Sequence, residues 1–169
     1  IGCMMIELGR HMGATNIIVI QRSQKRLDMA KKYSADHYFL SDDPDMEAKV
    51  KGVTRGEGPD VIMITCASPE AQEQSLLLAR HRARINYFGG LATNARKLNI
   101  SSNLIHYKEL TVLGSHGSLP RHHKKAIQII DKGMVHAAQY ITHRFPLDRI
   151  HEAFRAAESR EGLKVVVNP

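Results

Sequence analysis

The sequence predicts an α/β fold, a doubly wound parallel sheet, and three observations carry that prediction. Short β-branched or apolar runs, at 16–20, 60–65 and 84–88, alternate with segments of helical periodicity. The connections between them are short, as helical crossovers between parallel strands allow. Gly2 opens a helix to about Met12, followed by a turn at Gly13-Ala14 and the β-branched run Ile17–Ile20. This is the order of elements in which a third loop glycine lets a helix pack closely on a strand, the Rossmann arrangement. The strand and two glycines that would stand before Gly2 are not in the sequence, which reads as a fragment. Such a strand would be central, so it is expected to be present outside the given residues, replaced by another segment, or absent from a rearranged or domain-swapped sheet.

Each later element has its own local reason. Ser23 can cap a helix carrying Leu27, Ala30 and Tyr33 at helical spacing, and a short strand follows at His37–Leu40. Asp43-Pro44 predicts an N-cap with proline at the first helical position, ahead of a buried stripe at Met46, Val50 and Val53. Gly56 to Pro59 breaks the chain before Asp60–Thr65, a run apolar enough to be buried on both faces. Ser68-Pro69-Glu70 repeats the cap signal and opens a helix through Arg80. Strand 84–88 ends in Gly89-Gly90, and strand 110–114 in Gly114-Ser115-His116-Gly117-Ser118. Beyond Leu119-Pro120 come a helix over 121–132, a strand near 139–142 and a helix placing Leu147, Ile150, Ala153, Phe154 and Ala157 on one face. A final strand covers Leu163–Val167. The division predicted is a dinucleotide-binding domain over 1–118 and a C-terminal segment over 119–169 that packs elsewhere.

Composition excludes several classes. The 169 residues are 43% hydrophobic in short runs, none near the roughly 20 residues a bilayer span requires. Cys3 and Cys66 stand alone, so neither a disulfide framework nor a CxxC site is indicated, and a reducing, cytoplasmic setting follows. The net charge of +7 is spread along the chain among Asp and Glu with few aromatics, which argues for general anion attraction and against nucleic-acid binding. His122-His123 are adjacent on a helix and point apart, and His143 has no Cys or second His at ligand spacing, so no metal site is expected within the chain. Cys66 has no local base to activate it and is expected to be a buried strand-end residue; no catalytic residue is nominated.

The residue ending the second Rossmann strand, about twenty positions after the glycine loop, meets the adenosine ribose, and an acid there selects NAD. Here that position is Gln21, followed by Arg22, Ser23, Lys25 and Arg26. An absent acid together with arginines favours NADP over NAD, since arginine binds phosphate through charge-assisted, bidentate bonds. A polar turn with solvated charges would explain the arginines but not the missing acid. Ligands of such sheets lie at the carboxyl ends of strands. Three ends here are small or polar: Cys66-Ala67-Ser68, Gly89-Gly90-Leu91 and Ser115-His116-Gly117.

These pieces together resemble the C-terminal half of a zinc-dependent medium-chain alcohol dehydrogenase, on the sorbitol (L-iditol) dehydrogenase branch. The resemblance is carried by Ile1-Gly2 with Gly13-Ala14, Arg26-Leu27 through Ser34-Ala35-Asp36, Gly58-Pro59-Asp60-Val61, and Phe88-Gly89-Gly90. It continues through His106–Leu110, Gly114–Ser118, Ile141–Leu147, Glu152-Ala153-Phe154 and Gly162–Val166. The resemblance implies a protein about twice this length, whose zinc ligands lie in an N-terminal domain, with this chain alone inactive. It also implies a small-molecule alcohol or polyol substrate and a homo-oligomer without nucleic-acid or membrane partners. By position, Gly2 packs the first helix, Gln21, Arg22 and Arg26 meet the ribose or its phosphate, and Cys66 and Ala67 line the adenosine side. Phe88, Gly89, Gly90, Ser115 and His116 would border the nicotinamide. Gln21 in place of the usual acid, and the small segment after Gly114, are departures from the family pattern. A stand-alone, non-catalytic dinucleotide-binding or regulatory domain is the alternative.

Overall fold

A computed structural model describes all residues 1–169, and they form two compact units, Ile1–Ser118 and Leu119–Pro169. The first unit runs α1 (Gly2–His11), β1 (Ile18–Gln21), α2 (Gln24–Ala30), β2 (His37–Leu40), α3 (Met46–Val53), β3 (Val61–Ile64) and α4 (Pro69–Leu78). It closes with β4 (Arg84–Tyr87), α5 (Ser102–Tyr107) and β5 (Thr111–Gly114). Every strand pair is parallel. The predicted α/β class with helical crossovers is therefore the observed one.

The sheet is interrupted. β1 pairs only with β2, and β3-β4-β5 form a separate three-stranded sheet. No strand of the chain pairs with both β1 and β3, so replacement by another of its segments does not occur. Side chains bridge the two sheets instead: Ile18 and Ile20 of β1, Phe39 of β2 and Ile62 of β3 all pack on Met46, Val50 and Leu78. A second cluster, Leu76, Ala79, Ala83, Ile85 and Leu110, lies against Ile62, Tyr87 and Val112. Ile62 belongs to both clusters, whereas Val61 is 48% and Met63 37% exposed. The expectation that β3 is buried on both faces is thus corrected. Successive strand residues point to opposite faces, and only one face of this edge strand is covered by α3 and α4.

Caps behave locally as the sequence implies at two sites. The Ser23 hydroxyl accepts the Arg26 N–H (3.4 Å) and that of Ser68 the Ala71 N–H (3.2 Å). At α3 the cap is Asp45 rather than Asp43. The Asp43 carboxylate accepts the Asp45 N–H (2.9 Å) and so closes an Asx turn just upstream. Of the expected stripe, Met46 and Val50 are buried and Val53 half-buried. α4 stops at Leu78, short of Arg80, where Ala79 turns extended (ψ 135°), and the Lys108 ammonium donates to the carbonyls of Leu76, Leu77 and Ala79 at 3.1, 2.8 and 2.9 Å. A cation on the last carbonyls satisfies acceptors that the helix leaves open. α5 falls in a stretch to which periodicity assigns no element.

The second unit comprises α6 (Pro120–Asp131), β6 (Ile141–Pro146), α7 (Ile150–Glu158) and β7 (Lys164–Asn168), with β6 and β7 parallel. β6 is longer and later than the strand expected near 139–142, part of which is a 3-10 turn at Ala137–Tyr140. On the apolar face of α7, Ala153 is buried, while Phe154 is 62% exposed, as is Leu147 (55%) in the turn before the helix. A Cβ at Gly162, just before β7, would overlap the Thr142 hydroxyl and lie 2.6 Å from His143 Nδ1, so both side chains would have to shift.

Candidate functional site

Strand register decides where the candidate residues meet. Ile64, Tyr87 and Gly114 stand abreast across β3, β4 and β5, so the segments that follow them leave the sheet at one level. The Gly89 N–H continues the ladder to the Ile64 carbonyl (2.8 Å). A Cβ on Gly89 would overlap the Cys66 carbonyl oxygen and lie 2.6 Å from its carbonyl carbon. The tips of β3 and β4 are in backbone contact, and glycine alone permits it. The Ser115 hydroxyl, beyond β5, donates to Asn86 Oδ1 of β4 (3.1 Å).

The other sheet and α1 reach the same edge. A Cβ on Gly2 would sit 3.2 Å from the Thr65 hydroxyl, which sets the amino end of α1 beside the tip of β3. Burial pushes the Cys66 thiol pKa up, and the nearby Arg22 guanidinium, at the tip of β1, pulls against that shift. Burial likewise raises the Cys3 thiol, opposed by Arg26. Both thiols are therefore held in the protonated form at neutral pH, the reverse of an activated nucleophile. Cys66 is nonetheless exposed, which corrects the expectation of a buried cysteine.

The structure thus brings together Gly2, Arg22, Arg26, Cys66, Gly89 and their neighbour Thr65. Arg22 and Lys25 are exposed, Arg26 is half-buried, and no carboxylate pairs with Arg22. Gln21 is half-buried at the end of β1, where its carbonyl accepts the Ser41 N–H (2.9 Å). Ala67, Phe88, Gly90 and His116 are exposed at the strand tips without hydrogen bonds to the other candidates. No group of three or more His, Cys, Asp or Glu side chains could hold a metal ion. His122 instead accepts the Leu119 N–H through Nδ1 (3.1 Å) at the start of α6, and His143 Nδ1 lies 3.0 Å from the Thr142 hydroxyl.

Sequence reasoning missed the supports of this edge. Gln72 of α4, 4% exposed, donates through Nε2 to the Gly89 carbonyl (3.1 Å). A polar residue on the buried face with Ser75 and Leu76 is the signal that could have found it. Arg96, in the segment after Gly90, bonds both Glu70 (2.9 Å) and Glu73 (2.6 Å) of α4. Glu73 also accepts the Asn99 N–H (2.5 Å). The Arg96 hydrogen bond, then that of Asn99, holds the Glu73 carboxyl at about 2 against a usual 4.5. A depressed carboxylate pKa stabilises the folded state above the ordinary value and loses that contribution as pH falls toward the depressed one. Amide hydrogen exchange at 91–100 is expected to be slow at pH 6 and to quicken, relative to α4, as pH falls from about 4.5 toward 2. Unchanged relative protection would remove the clamp role.

Residues 1–132 match the family model described as Zinc-binding dehydrogenase. Over 173 residues the chain is 30% identical to a sorbitol dehydrogenase of Bombyx mori, covering 99% of this chain and 48% of that protein. It is also 30% identical over 169 residues to an L-threonine 3-dehydrogenase of Pyrococcus furiosus, covering 98% and 48%. Among solved structures, an alcohol dehydrogenase from Thermotoga maritima superposes with a TM-score of 0.89 at 26% identity, over 99% of this chain and 47% of that one. The chain spans about half the length of the curated relatives it matches.

Proposed function

Because the chain belongs to the zinc-dependent medium-chain dehydrogenase family and corresponds to its C-terminal, cofactor-domain half, we propose that it is the dinucleotide-binding portion of an alcohol dehydrogenase. The whole protein would exchange hydride between a secondary alcohol, of sugar-alcohol type, and NADP or NAD, with NADP favoured. The observation that carries this reading is the meeting of Gly2, Arg22, Cys66 and Gly89 at one edge, where parallel α/β sheets take their ligands. In this reading residues 1–118 form the dinucleotide domain and 119–169 complete the catalytic domain. A cytoplasmic setting is supported by two free cysteines, and no helix is long and apolar enough to cross a membrane. The homo-oligomer belongs to the same proposal, as does the inactivity of these residues alone.

The residues fit a dinucleotide. The Gly89–Cys66 contact leaves a backbone surface that any side chain would fill, and the guanidinium of Arg22 is free for a phosphate. Hydride exchange is the chemistry the nicotinamide supplies when bound. This chain's part is to bind and orient. Amides at the start of α1 lack intrahelical acceptors and favour the pyrophosphate charge. Arg22, with Lys25 and Arg26, takes a 2′-phosphate, and Gln21 leaves out the carboxylate that would repel it. The glycines at the tip of β4 admit a flat ring. These residues do not form a zinc site.

Titration of the protein with NADPH and NADH tests the reading. Arg22→Ala is expected to weaken NADPH by about 1–2 kcal/mol, reduced from a buried pair's value by solvent exposure, and to leave NADH nearly unchanged. Equal losses for both cofactors would end the NADP assignment. The substrate class is tested on the full-length protein by comparing turnover of a polyol and of threonine, since both kinds of dehydrogenase are equally similar to this chain.

A further inference from the structure

Gln72 is held from several sides. A buried amide side chain costs free energy unless it is hydrogen-bonded, and here Nε2 is spent on the Gly89 carbonyl (3.1 Å). The main-chain carbonyl of Gln72 accepts from the Ser75 hydroxyl (2.6 Å) and the Tyr87 hydroxyl (3.1 Å), which ties α4 to the end of β4 at one residue. Gly89 is in turn fixed by its N–H on Ile64 and by its backbone contact with Cys66. In a trans peptide the C=O and the following N–H point in opposite directions. Drawing the Gly89 carbonyl toward α4 therefore aims the Gly90 N–H away from it. That N–H has no acceptor in the protein, and a Cβ at Gly90 would meet nothing within 4 Å. A fixed donor thus stands in open space at the tip of β4.

We propose that Gln72 is a positioning residue that, through the Gly89 carbonyl, turns the Gly90 amide outward as a hydrogen-bond donor to the nicotinamide-bearing half of the dinucleotide. The inference rests on the dinucleotide reading above and adds to it a residue outside the strand tips. The oxygen acceptor such a donor takes is the carboxamide carbonyl of the nicotinamide, which the ADP-ribose counterpart lacks.

Two ligands separate positioning from simple structural support. One is whichever of NADPH and NADH the unaltered protein binds more tightly, and the other is its ADP-ribose counterpart, which lacks the nicotinamide. Gln72→Leu keeps the volume and removes the donor. The dinucleotide Kd is expected to rise about tenfold, while that of the ADP-ribose counterpart stays within about twofold. Equal losses for both ligands, or no loss for the dinucleotide, would overturn the positioning role while leaving the dinucleotide reading intact. Failure of the unaltered protein to bind either ligand would overturn that reading and this inference with it. The unaltered protein supplies a second measurement that does not depend on the variant folding. With 15N-labelled glycine, the Gly90 amide resonance is expected to move on adding the dinucleotide and to stay in place with the ADP-ribose counterpart. A resonance that ignores the dinucleotide, or moves equally for both, counts against the proposal.

Discussion

Gly58→Ala is expected to destabilise the first unit by about 2–4 kcal/mol, measured as a fall in the urea midpoint at unchanged slope. Two penalties add. Gly58 has φ +97°, where an L side chain is strained. A Cβ there would also overlap the Leu78 carbonyl oxygen and lie 3.0 Å from the Arg80 amide. Both obstacles are backbone at the end of α4, which Lys108 pins, so neither can swing aside as a flexible side chain would. Gly56→Ala is the control: its φ is +85° but nothing lies within 4 Å of its Cβ, so only the strain of about 1 kcal/mol should appear. Equal effects at the two positions would show that the close approach of Gly58 to α4 contributes nothing. Against the roughly 5–15 kcal/mol that holds a typical domain, the expected loss is large.

Gly89→Ala should cost about 1–3 kcal/mol of stability and, with it, most of the dinucleotide affinity. The added methyl has to displace the main chain of Cys66, and the ladder bond from the Gly89 N–H to Ile64 lies one atom away. Prying apart the tips of β3 and β4 moves the surface on which the ring would rest. Gly90→Ala separates the two effects, because its Cβ meets nothing and folding should change by less than about 0.5 kcal/mol. A Gly89→Ala protein that binds NADPH as tightly as the unaltered one would remove this edge from the proposed site.

Local chemistry made much of the fold legible. Ser23 and Ser68 cap helices because a hydroxyl one residue ahead of a helix reaches an open amide without help from the rest of the chain. The strand His37–Leu40 agrees with its apolar pattern to the residue. Local patterns failed where a partner decides the outcome. Asp43 and Asp45 are both capable caps, and which one starts α3 depends on the Asx turn between them. The candidate site was legible as residue types at strand ends. Its supports, Gln72 and the Arg96 clamp, were not, because they reach across 17 and 26 residues of sequence.

From the sequence alone came the alternation of strand and helix, the parallel pairing it requires, the cluster of cations after Gln21 and the small residues at three strand ends. Those follow from periodicity, capping and charge, which act within a few residues of their cause. Only the tertiary structure decided that Gly58 and Gly89 each face another segment's main chain, and that Lys108 donates to the last carbonyls of α4. These are contacts between segments distant in the chain, set by how helices and strands bury their apolar faces together, and no short window of residues contains both partners.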